Sequence, residues 1–251
     1  MPENKPSARL FLDCHLATDA VIELGREQSH YLAQVMRVHV AEAIALFNGC
    51  DGEWRAVVSS VERKAVTLTC QTRLREQAEA PDVWLAFAPL KKTRIDFVVE
   101  KATELGVGRL LPVVTQYTVA ARVNIERLSA RVIEAAEQCE RLTVPPITPP
   151  CALDKFLDSW PADRSLFVLD ETGGGRPIAE ALMQMRPSSD CKFPPCGFLV
   201  GPEGGFSPSE LDAVRNRAFV TTVGVGPRIL RAETAALAAL VCWQAIVGDW
   251  R

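Results

Sequence analysis

The sequence predicts an α/β protein preceded by a small β-rich module, and three observations support this. Up to about Arg75, short apolar patterns alternate as they do in half-buried strands. From Asp82 onward, apolar strands alternate with helical stripes, which is typical of a parallel sheet covered on both faces. Three strands of this second part run into glycine-bearing loops, where α/β sheets bind ligands. The polar stretch 75–81, which ends in a proline, is the predicted linker.

The first part contains three segments in which every second residue is apolar. These residues are Ile44 and Leu46, then Trp54, Ala56 and Val58, then Val66, Leu68 and Cys70. Residues 48–52, Asn-Gly-Cys-Asp-Gly, predict a turn between the first two segments, and one helix is predicted over 27–37. This pattern favours a small antiparallel barrel or sandwich.

The second part begins with an apolar strand over 83–90. It leads into Thr93-Arg-Ile-Asp96, a variant of the capping box that predicts a helix start, and Gly106 ends the helix. The other predicted elements are strands over 110–115, 166–169, 197–200 and 219–225, and helices over 124–139, after Pro177, from Pro208 and from near Glu233.

Composition excludes several classes of protein. The 251 residues are 48% hydrophobic with a formal charge of −3, which excludes a disordered chain. The longest apolar run, 235–243, is about half of what a bilayer span needs, and the first residues lack the apolar core of a signal peptide. We therefore expect a soluble cytoplasmic protein without a membrane partner.

Cysteine and histidine positions narrow the chemistry. The eight cysteines include no Cys-x-x-Cys pair, so we expect reduced thiols and no bound metal. The only histidines are His15, His30 and His39, in the first sixth of the chain, which argues against a Ser-His-Asp or Cys-His site in the α/β part.

The first two glycine loops differ in how strongly they predict a ligand site. The loop 170–175 after Leu169 ends in three glycines but lacks the dinucleotide-binding spacing, so it is either a flexible surface loop or a peripheral part of a ligand site. The second, Gly201-Pro-Glu-Gly-Gly, precedes a strong helix start at Ser207, Pro208 and Glu210. It does not match the phosphate-binding loop of nucleotide hydrolases.

The third loop brings charged residues to a helix start. Arg228, Arg231 and Glu233 follow Gly226 at the entrance of the last helix. Glu233 could simply favour the positive end of the helix dipole and pair with Arg231. Charged side chains beside two glycine loops at one sheet edge make an active site the better interpretation.

The second and third glycine loops carry a resemblance to a known family. Gly201-Pro-Glu-Gly-Gly205 and Gly226-Pro-Arg-Ile-Leu-Arg-Ala-Glu-Thr-Ala235 resemble the bacterial 16S ribosomal RNA (uracil-N3)-methyltransferases of the SPOUT superfamily. The segments 30–37, 101–107 and 134–145 are similar to further motifs of that family, so nearly the whole chain is covered. Glu140 stands where a glycine is usual, and Val225 and Met36 replace common leucines.

The resemblance implies a fold and an assembly. Residues 1–78 would form a PUA-like β-barrel that helps to hold RNA, and residues 79–251 a SPOUT-type α/β domain with a C-terminal trefoil knot. It also implies a homodimer. The last helix supports this, because only Thr234 and Gln244 are polar between residues 234 and 247, and such a helix must be buried on every face.

The resemblance further implies S-adenosylmethionine as the cofactor, 16S ribosomal RNA within an assembled small subunit as the partner, and methyl transfer to N3 of a specific uridine. Arg231 would stabilise the uracil anion, with Glu233 or a backbone-bound water as a weaker candidate for accepting the proton. The predicted cofactor-binding residues are Leu169, Val200, Gly201, Pro202, Glu203, Gly204, Gly205, Val223, Gly224, Val225, Gly226, Ile229, Leu230, Arg231 and Thr234. The predicted RNA-binding residues are Arg9, Arg37, Lys91, Arg94 and Arg228.

Three other functions compete with this hypothesis. They are a SPOUT methyltransferase acting on another RNA such as transfer RNA, a non-catalytic RNA-binding module, and a nucleotide-dependent oxidoreductase. The absence of the dinucleotide-binding glycine spacing disfavours the oxidoreductase. The net negative charge does not exclude RNA, because four arginines and no acidic residue lie between Ala213 and Ala232. They are Arg215, Arg217, Arg228 and Arg231, and local phosphate contacts set nucleic-acid affinity. We expect selective binding with little affinity for random RNA.

Overall fold

The computed structural model describes residues 5–62, 65–119, 122–185 and 193–250. The chain divides into two compact units, one of Met1–Glu79 with Ala136–Val144 and one of Ala80–Ala135 with Pro145–Arg251. The predicted domains 1–78 and 79–251 are contiguous, whereas the first compact unit also contains Ala136–Val144.

The first unit is built on a five-stranded sheet. Its strands are β1 (Ala8–Phe11), β2 (Val21–Glu23), β3 (Ala43–Phe47), β4 (Glu53–Val61) and β5 (Val66–Arg75), in the order β1-β3-β4-β5-β2. The pairs β3–β4, β4–β5 and β5–β2 are antiparallel as predicted, but β1 pairs with β3 in parallel. The alternating apolar residues of β4 and β5 face the core, which confirms the period-two pattern there. Strand β3 is buried at every position.

The connections of this sheet were partly predicted. Asn48 forms the expected turn between β3 and β4, because its side-chain Oδ1 accepts hydrogen bonds from the backbone N–H groups of Cys50 and Asp51, at 2.9 and 2.8 Å. The single helix predicted over 27–37 is wrong in detail. An α-helix, α1 (Arg26–His30), continues as a π-helical turn over Tyr31–Met36, and Arg37 ends it in the left-handed conformation with φ +56°.

A buried carboxylate ties three of these strands together. Glu53 of β4 accepts from Arg9 of β1 at 2.5 Å and from Arg75 of β5 at 2.7 Å. Burial raises the pKa of Glu53, but the hydrogen bonds from Arg75 and Arg9 outweigh it and hold the pKa below its usual value.

The same two arginines bind the segment Ala136–Val144. Arg9 donates to the carbonyl oxygens of Ala136 and Arg141, each at 2.7 Å, and its guanidinium lies 3.8 Å from the centre of the Phe47 ring. Arg75 donates to the carbonyl of Glu140 at 2.8 Å. Arg9 was predicted to contact RNA. The structure instead shows a side chain that is only 11% exposed and whose guanidinium donates to Glu53 and to these carbonyl groups within the unit.

The second unit contains a seven-stranded sheet. Its strands are β6 (Val83–Phe87), β7 (Arg109–Val114), β8 (Cys151–Ala152), β9 (Ser165–Leu169), β10 (Arg176–Pro177), β11 (Cys196–Val200) and β12 (Val220–Gly224). The order is β10-β12-β9-β11-β6-β7-β8, and all neighbouring strands are parallel. The other helices of the chain are α2 (Lys92–Glu104), α3 (Ile125–Gln138), α4 (Leu153–Ser159), α5 (Ile178–Met183), α6 (Pro208–Arg215) and α7 (Ala232–Ile246). This confirms the predicted α/β class with a parallel sheet.

The two predicted helix starts had different outcomes. At α6, Ser207 and Glu210 form the expected capping box, with Pro208 in the first helical position. At α2, the predicted cap at Thr93 is wrong: the helix begins at Lys92 after Lys91, without a side-chain cap. Asp96 pairs with Arg127 instead, a partner that the local sequence does not indicate.

Helix α7 is apolar but only partly buried within the chain. Trp243 and Gln244 are buried, and Gln244 donates to the carbonyl of Leu105 at 2.6 Å and accepts from the N–H of Asp249 at 3.0 Å. Val241, on another face of the helix, is 40% exposed. None of the helices in the described ranges is long and apolar enough to cross a membrane.

Strand β12 lies between two strands that are close neighbours in the sequence. Only the six residues 170–175 connect β9 to β10, and β12 pairs with both of those strands. The connection 170–175 therefore passes from one side of β12 to the other. The C-terminal trefoil knot itself stays a prediction.

Candidate functional site

Three loops meet at the carboxyl ends of neighbouring strands. Strands β9, β11 and β12 are adjacent or next but one in the sheet, and the loops 170–175, 201–205 and 225–231 follow them. Together these loops line a cavity of about 730 Å³. Sites for small molecules typically enclose about 300–1,000 Å³, so the cavity has the size of a cofactor site.

Most of the predicted cofactor residues line this cavity. The exceptions are Gly204, which packs beside Tyr117, and Thr234, which is exposed on α7. The first loop also contributes to the cavity wall, with Asp170, Glu171, Thr172, Gly173 and Gly175, which favours the interpretation as a peripheral part of a ligand site. The assignment of these residues to a cofactor stays a prediction.

Glycine is required at two positions where these loops come close to one another. A Cβ at Gly175 would lie 2.5 Å from the backbone carbonyl carbon of Val223, so no side chain fits between the first loop and β12. At Gly205 the backbone φ is +70°, and the Glu171 carboxylate occupies the space that a side chain would need. These close contacts explain why the loops contain glycine here.

One arginine of the cavity wall pairs with two acidic residues. Arg94, near the start of α2, forms an ion pair with Glu203 of the second loop, and its Nε lies 3.6 Å from Oε1 of Glu233. Arg94 was predicted to contact RNA, and the structure instead places it among the predicted cofactor residues. Glu233 pairs with Arg94 rather than with Arg231, and its Oε2 is buried without a hydrogen-bond partner among the described residues.

Asp170 is the most enclosed charged group of the wall, with a side chain that is 0% exposed. Its Oδ1 accepts from the N–H and the hydroxyl of Thr172 at 2.9 and 2.6 Å, and its Oδ2 accepts from Arg215 at 2.7 Å. Burial raises the pKa of Asp170, but these hydrogen bonds outweigh it and hold the pKa below its usual value.

The four arginines between Ala213 and Ala232 have two different environments. Arg215 pairs with Asp170 and Arg217 pairs with Asp158, so two of the four arginines of this stretch have acidic partners within the protein. Arg228 and Arg231 are exposed on the cavity wall, and neither forms an ion pair with a described residue. The sequence could not show that Arg215 and Arg217 are paired while Arg228 and Arg231 are not, because the acidic partners of the first two lie 45 and 59 residues away.

The remaining predicted residues lie outside the cavity. Lys91 is exposed where α2 begins, and Arg37 is exposed in the first unit. Glu233 is not among the residues that line the cavity, although it is linked to the wall through Arg94. Within the described ranges, no group of three or more His, Cys, Asp or Glu residues could hold a metal ion.

Comparison with known proteins identifies the family. A family model described as an RNA methyltransferase domain matches residues 78–244. The chain belongs to this RNA methyltransferase family. A second model, described as an RNA methyltransferase PUA domain, matches residues 24–69 of the methyltransferase. The resemblance expected from the two glycine motifs is thereby confirmed, as is the PUA-like character of the first unit.

The methyltransferase matches individual relatives and a solved structure over most of its length. It is 31% identical to ribosomal RNA small subunit methyltransferase E of Rickettsia conorii, over 92% of this chain and 93% of the relative. The protein of the same name from Synechocystis is 30% identical, over 91% of this chain and 74% of the relative. The crystal structure of ribosomal RNA small subunit methyltransferase E from Neisseria gonorrhoeae bound to S-adenosyl methionine is 28% identical, with a TM-score of 0.86, and the match covers 97% of this chain and 99% of that chain.

Proposed function

We propose that this methyltransferase transfers a methyl group from S-adenosylmethionine to N3 of a specific uridine in 16S ribosomal RNA of the small subunit, as a cytoplasmic homodimer. The cavity at the carboxyl edge of the parallel sheet carries the proposal, because it is lined by both glycine motifs. The gonococcal protein of matching fold is bound to S-adenosyl methionine. The coarser conclusion, a methyltransferase acting on small-subunit ribosomal RNA, agrees with the names of its relatives.

The residues of the cavity fit this cofactor. Its volume of about 730 Å³ suits a molecule of that size, and the wall offers backbone of three loops, where glycines allow close approach. We assign the cofactor to Leu169, the segment 200–205 and the segment 223–231. When bound, S-adenosylmethionine supplies an electrophilic methyl group on a sulfonium.

Arg231 is the best candidate for assisting the acceptor base. Uridine N3 carries a proton and becomes a good nucleophile only when that proton leaves, so the protein must stabilise negative charge on the uracil ring. Arg231 is exposed on the cavity wall at the N-cap of α7 and has no acidic partner among the described residues, so its guanidinium is available for this charge. Glu233 is a weaker candidate for accepting the proton, because it pairs with Arg94 behind the wall.

RNA is proposed to reach the cavity past exposed cations. Arg228 is exposed on the cavity wall, and Lys91 is exposed directly before α2. Arg37, in the PUA-like unit, is a further exposed cation that we assign to RNA binding. These cations are few, which agrees with selective rather than general affinity for RNA. A base inside an RNA fold also has to be turned out of its stack to enter such a cavity.

The reaction and the role of Arg231 are tested together. Small-subunit ribosomal RNA from a strain lacking the gene is expected to lose one N3-methyluridine by mass spectrometry of nuclease fragments, and the purified enzyme is expected to restore it on isolated small subunits. Arg231→Ala is expected to slow methylation about 100-fold or more, with S-adenosylmethionine affinity changed only about threefold by calorimetry. Arg217→Ala, which removes a pair outside the cavity, is the matched control.

Three results would contradict this proposal. Unchanged methylation by the Arg231→Ala enzyme with cofactor bound would exclude the role of Arg231. A methylated uridine that disappears from transfer RNA instead would change the substrate, and no cofactor binding by the wild-type protein would favour a non-catalytic RNA-binding module.

A further inference from the structure

We propose that Arg215 is a positioning residue that holds the loop 170–175 in its cofactor-binding shape through Asp170, although Arg215 itself is not part of the cavity wall. The inference rests on the proposed function, because it assigns a role in binding S-adenosylmethionine. Arg215 belongs to the arginine-rich stretch between Ala213 and Ala232, and in this role its guanidinium acts within the protein rather than on RNA.

One carboxylate fixes the loop at its first residue. The backbone N–H of Asp170 donates to the carbonyl of Val223 at 3.0 Å, which continues the pairing of β9 with β12. Its side-chain Oδ1 closes a tight turn by accepting two hydrogen bonds from Thr172, while Oδ2 is bound by Arg215 at 2.7 Å. The carboxylate thus uses one oxygen to shape the loop and the other to attach the loop to α6.

The loop contains little else that could hold it. Its last three residues are glycines, and Gly173 has a φ of +82° with nothing within 4 Å of a Cβ built there. Glycines lose the most backbone freedom when they are ordered, so a loop rich in them needs fixed points. The far end is fixed by Gly175 against Val223, and the Arg215 guanidinium lies beside Gly174, 3.5 Å from a Cβ built there.

Helix α6 connects this loop with the second one. The helix begins at Pro208 after the Ser207 cap, directly behind the loop 201–205, and it ends at Arg215. One end of the helix therefore orders the second loop and the other end anchors the first. The Glu171 carboxylate occupies the space beside Gly205, so the two loops also come close to each other there.

Loss of the arginine would leave Asp170 in an unfavourable position. The side chain of Asp170 is 0% exposed, and without Arg215 its remaining side-chain partner among the described residues would be Thr172. A buried charge that loses its partner becomes protonated or moves into water. Either change would release the turn at 170–172 and displace the cavity wall.

The test compares Arg215, the last residue of α6, with Arg217, which lies two residues beyond the helix. Arg215→Ala is expected to raise the dissociation constant for S-adenosylmethionine about tenfold by calorimetry, with a similar change for S-adenosylhomocysteine. Arg217→Ala removes the pair with exposed Asp158 and is expected to leave both constants unchanged. Hydrogen exchange in the cofactor-free protein is expected to speed up across 170–176 in the Arg215→Ala variant only.

Kinetics separate positioning of the cofactor from contact with RNA. The KM for S-adenosylmethionine is expected to rise about tenfold in Arg215→Ala, while kcat at saturating cofactor and the KM for small subunits stay within about twofold. Arg215→Lys, which keeps a cation, is expected to recover part of the affinity. If Arg215→Ala fails to fold, Asp170→Asn provides the second route, because it keeps the shape of the side chain and is expected to weaken cofactor binding likewise.

Several outcomes would overturn the inference. Wild-type cofactor affinity in both Arg215→Ala and Asp170→Asn would do so, and so would weaker binding with unchanged exchange of the loop. A raised KM for small subunits with normal cofactor affinity would make Arg215 an RNA contact instead. Failure of the wild-type protein to bind S-adenosylmethionine would refute the proposed function, which is distinguishable from all of these.

Discussion

Glu140 has a side chain at a backbone position that favours glycine. Its φ is +59°, two residues after α3 ends at Gln138, and its carbonyl accepts a hydrogen bond from Arg75 at 2.8 Å. A glycine in the left-handed conformation is a common end for a helix, and glycine is the usual residue here in the family that the sequence resembles. The glutamate at position 140 therefore replaces glycine at a backbone position where a side chain lowers stability. The hydrogen bond from Arg75 does not depend on this side chain, because it is accepted by the backbone carbonyl.

Glu140→Gly is expected to stabilise the protein. Removal of the Cβ relieves the left-handed strain and should raise the free energy of unfolding by about 1 kcal/mol, measured by urea denaturation. Glu140→Ala keeps the Cβ and removes only the charge, so it serves as the control and should give no such gain. Equal effects of both substitutions would show that charge, not backbone conformation, matters at this position.

Local sequence predicted some residues of the site well and others poorly. Ser207, Pro208 and Glu210 lie next to one another, and the helix start they predict is present in the structure. Arg94 and Arg215 could not be assigned, because their acidic partners Glu203 and Asp170 are far away in the sequence. Arg94 was predicted to contact RNA and Arg215 belongs to the arginine-rich stretch between Ala213 and Ala232, whereas the fold determines which arginines keep a free guanidinium.

At the level of strands, the buried carboxylate of β4 is the main polar link in the first unit. Glu53 joins β4 to β1 through Arg9 and to β5 through Arg75, and these arginines also bind the carbonyl groups of Ala136, Glu140 and Arg141. The side chains of Glu53 and Arg9 are only 9% and 11% exposed. Removal of one partner from such a group leaves the others buried without compensation.

Glu53→Gln is expected to lower the free energy of unfolding by about 3 kcal/mol at pH 7. Because the pKa of Glu53 is held below its unfolded value, its stabilisation is full above about pH 4.3 and is lost as the pH falls through the folded-state pKa. The difference between wild type and variant should therefore shrink in acid, as followed by urea denaturation from pH 7 to pH 3. Glu76→Gln breaks an exposed pair with Arg73 and should cost less than about 0.5 kcal/mol throughout.

The order of the strands was beyond the reach of the sequence pattern. Periodicity indicated where β9, β11 and β12 lie along the chain, and the parallel sheet followed from their alternation with helices. It did not indicate that β12 pairs with both β9 and β10, or that β1 runs parallel to β3. Such pairings depend on which long-range contacts bury the most surface, and short apolar segments carry no information about them.

For the whole molecule, the expected homodimer depends on the exposed face of helix α7. Helix α7 is apolar nearly throughout, but within one chain Val241 remains 40% exposed and Ala245 is exposed as well. An exposed apolar helix face of this kind is typical of a subunit interface. The proposed homodimer would cover it.

Val241→Glu is expected to convert a dimer into a monomer, as measured by light scattering coupled to size exclusion. A charge in the middle of an apolar interface has no partner and opposes association. Val21→Glu, at a position that is 70% exposed in the first unit, should leave the mass unchanged. A monomeric wild-type protein would contradict the homodimer, and a dimeric Val241→Glu variant would place the interface elsewhere.

The position of β12 has a consequence for when the protein becomes functional. A ribosome makes β9 and its connection to β10 long before residues 220–224. The position between β9 and β10 in the sheet therefore stays unfilled until β12 has been synthesised. Pairing between strands so distant in sequence is slow, because the chain must lose much entropy before any contact compensates. The cavity wall is complete only after this last strand is inserted. A newly made chain therefore cannot complete this cavity before β12 is in place, and the proposed binding of a cofactor there has to wait for the C-terminal part of the chain.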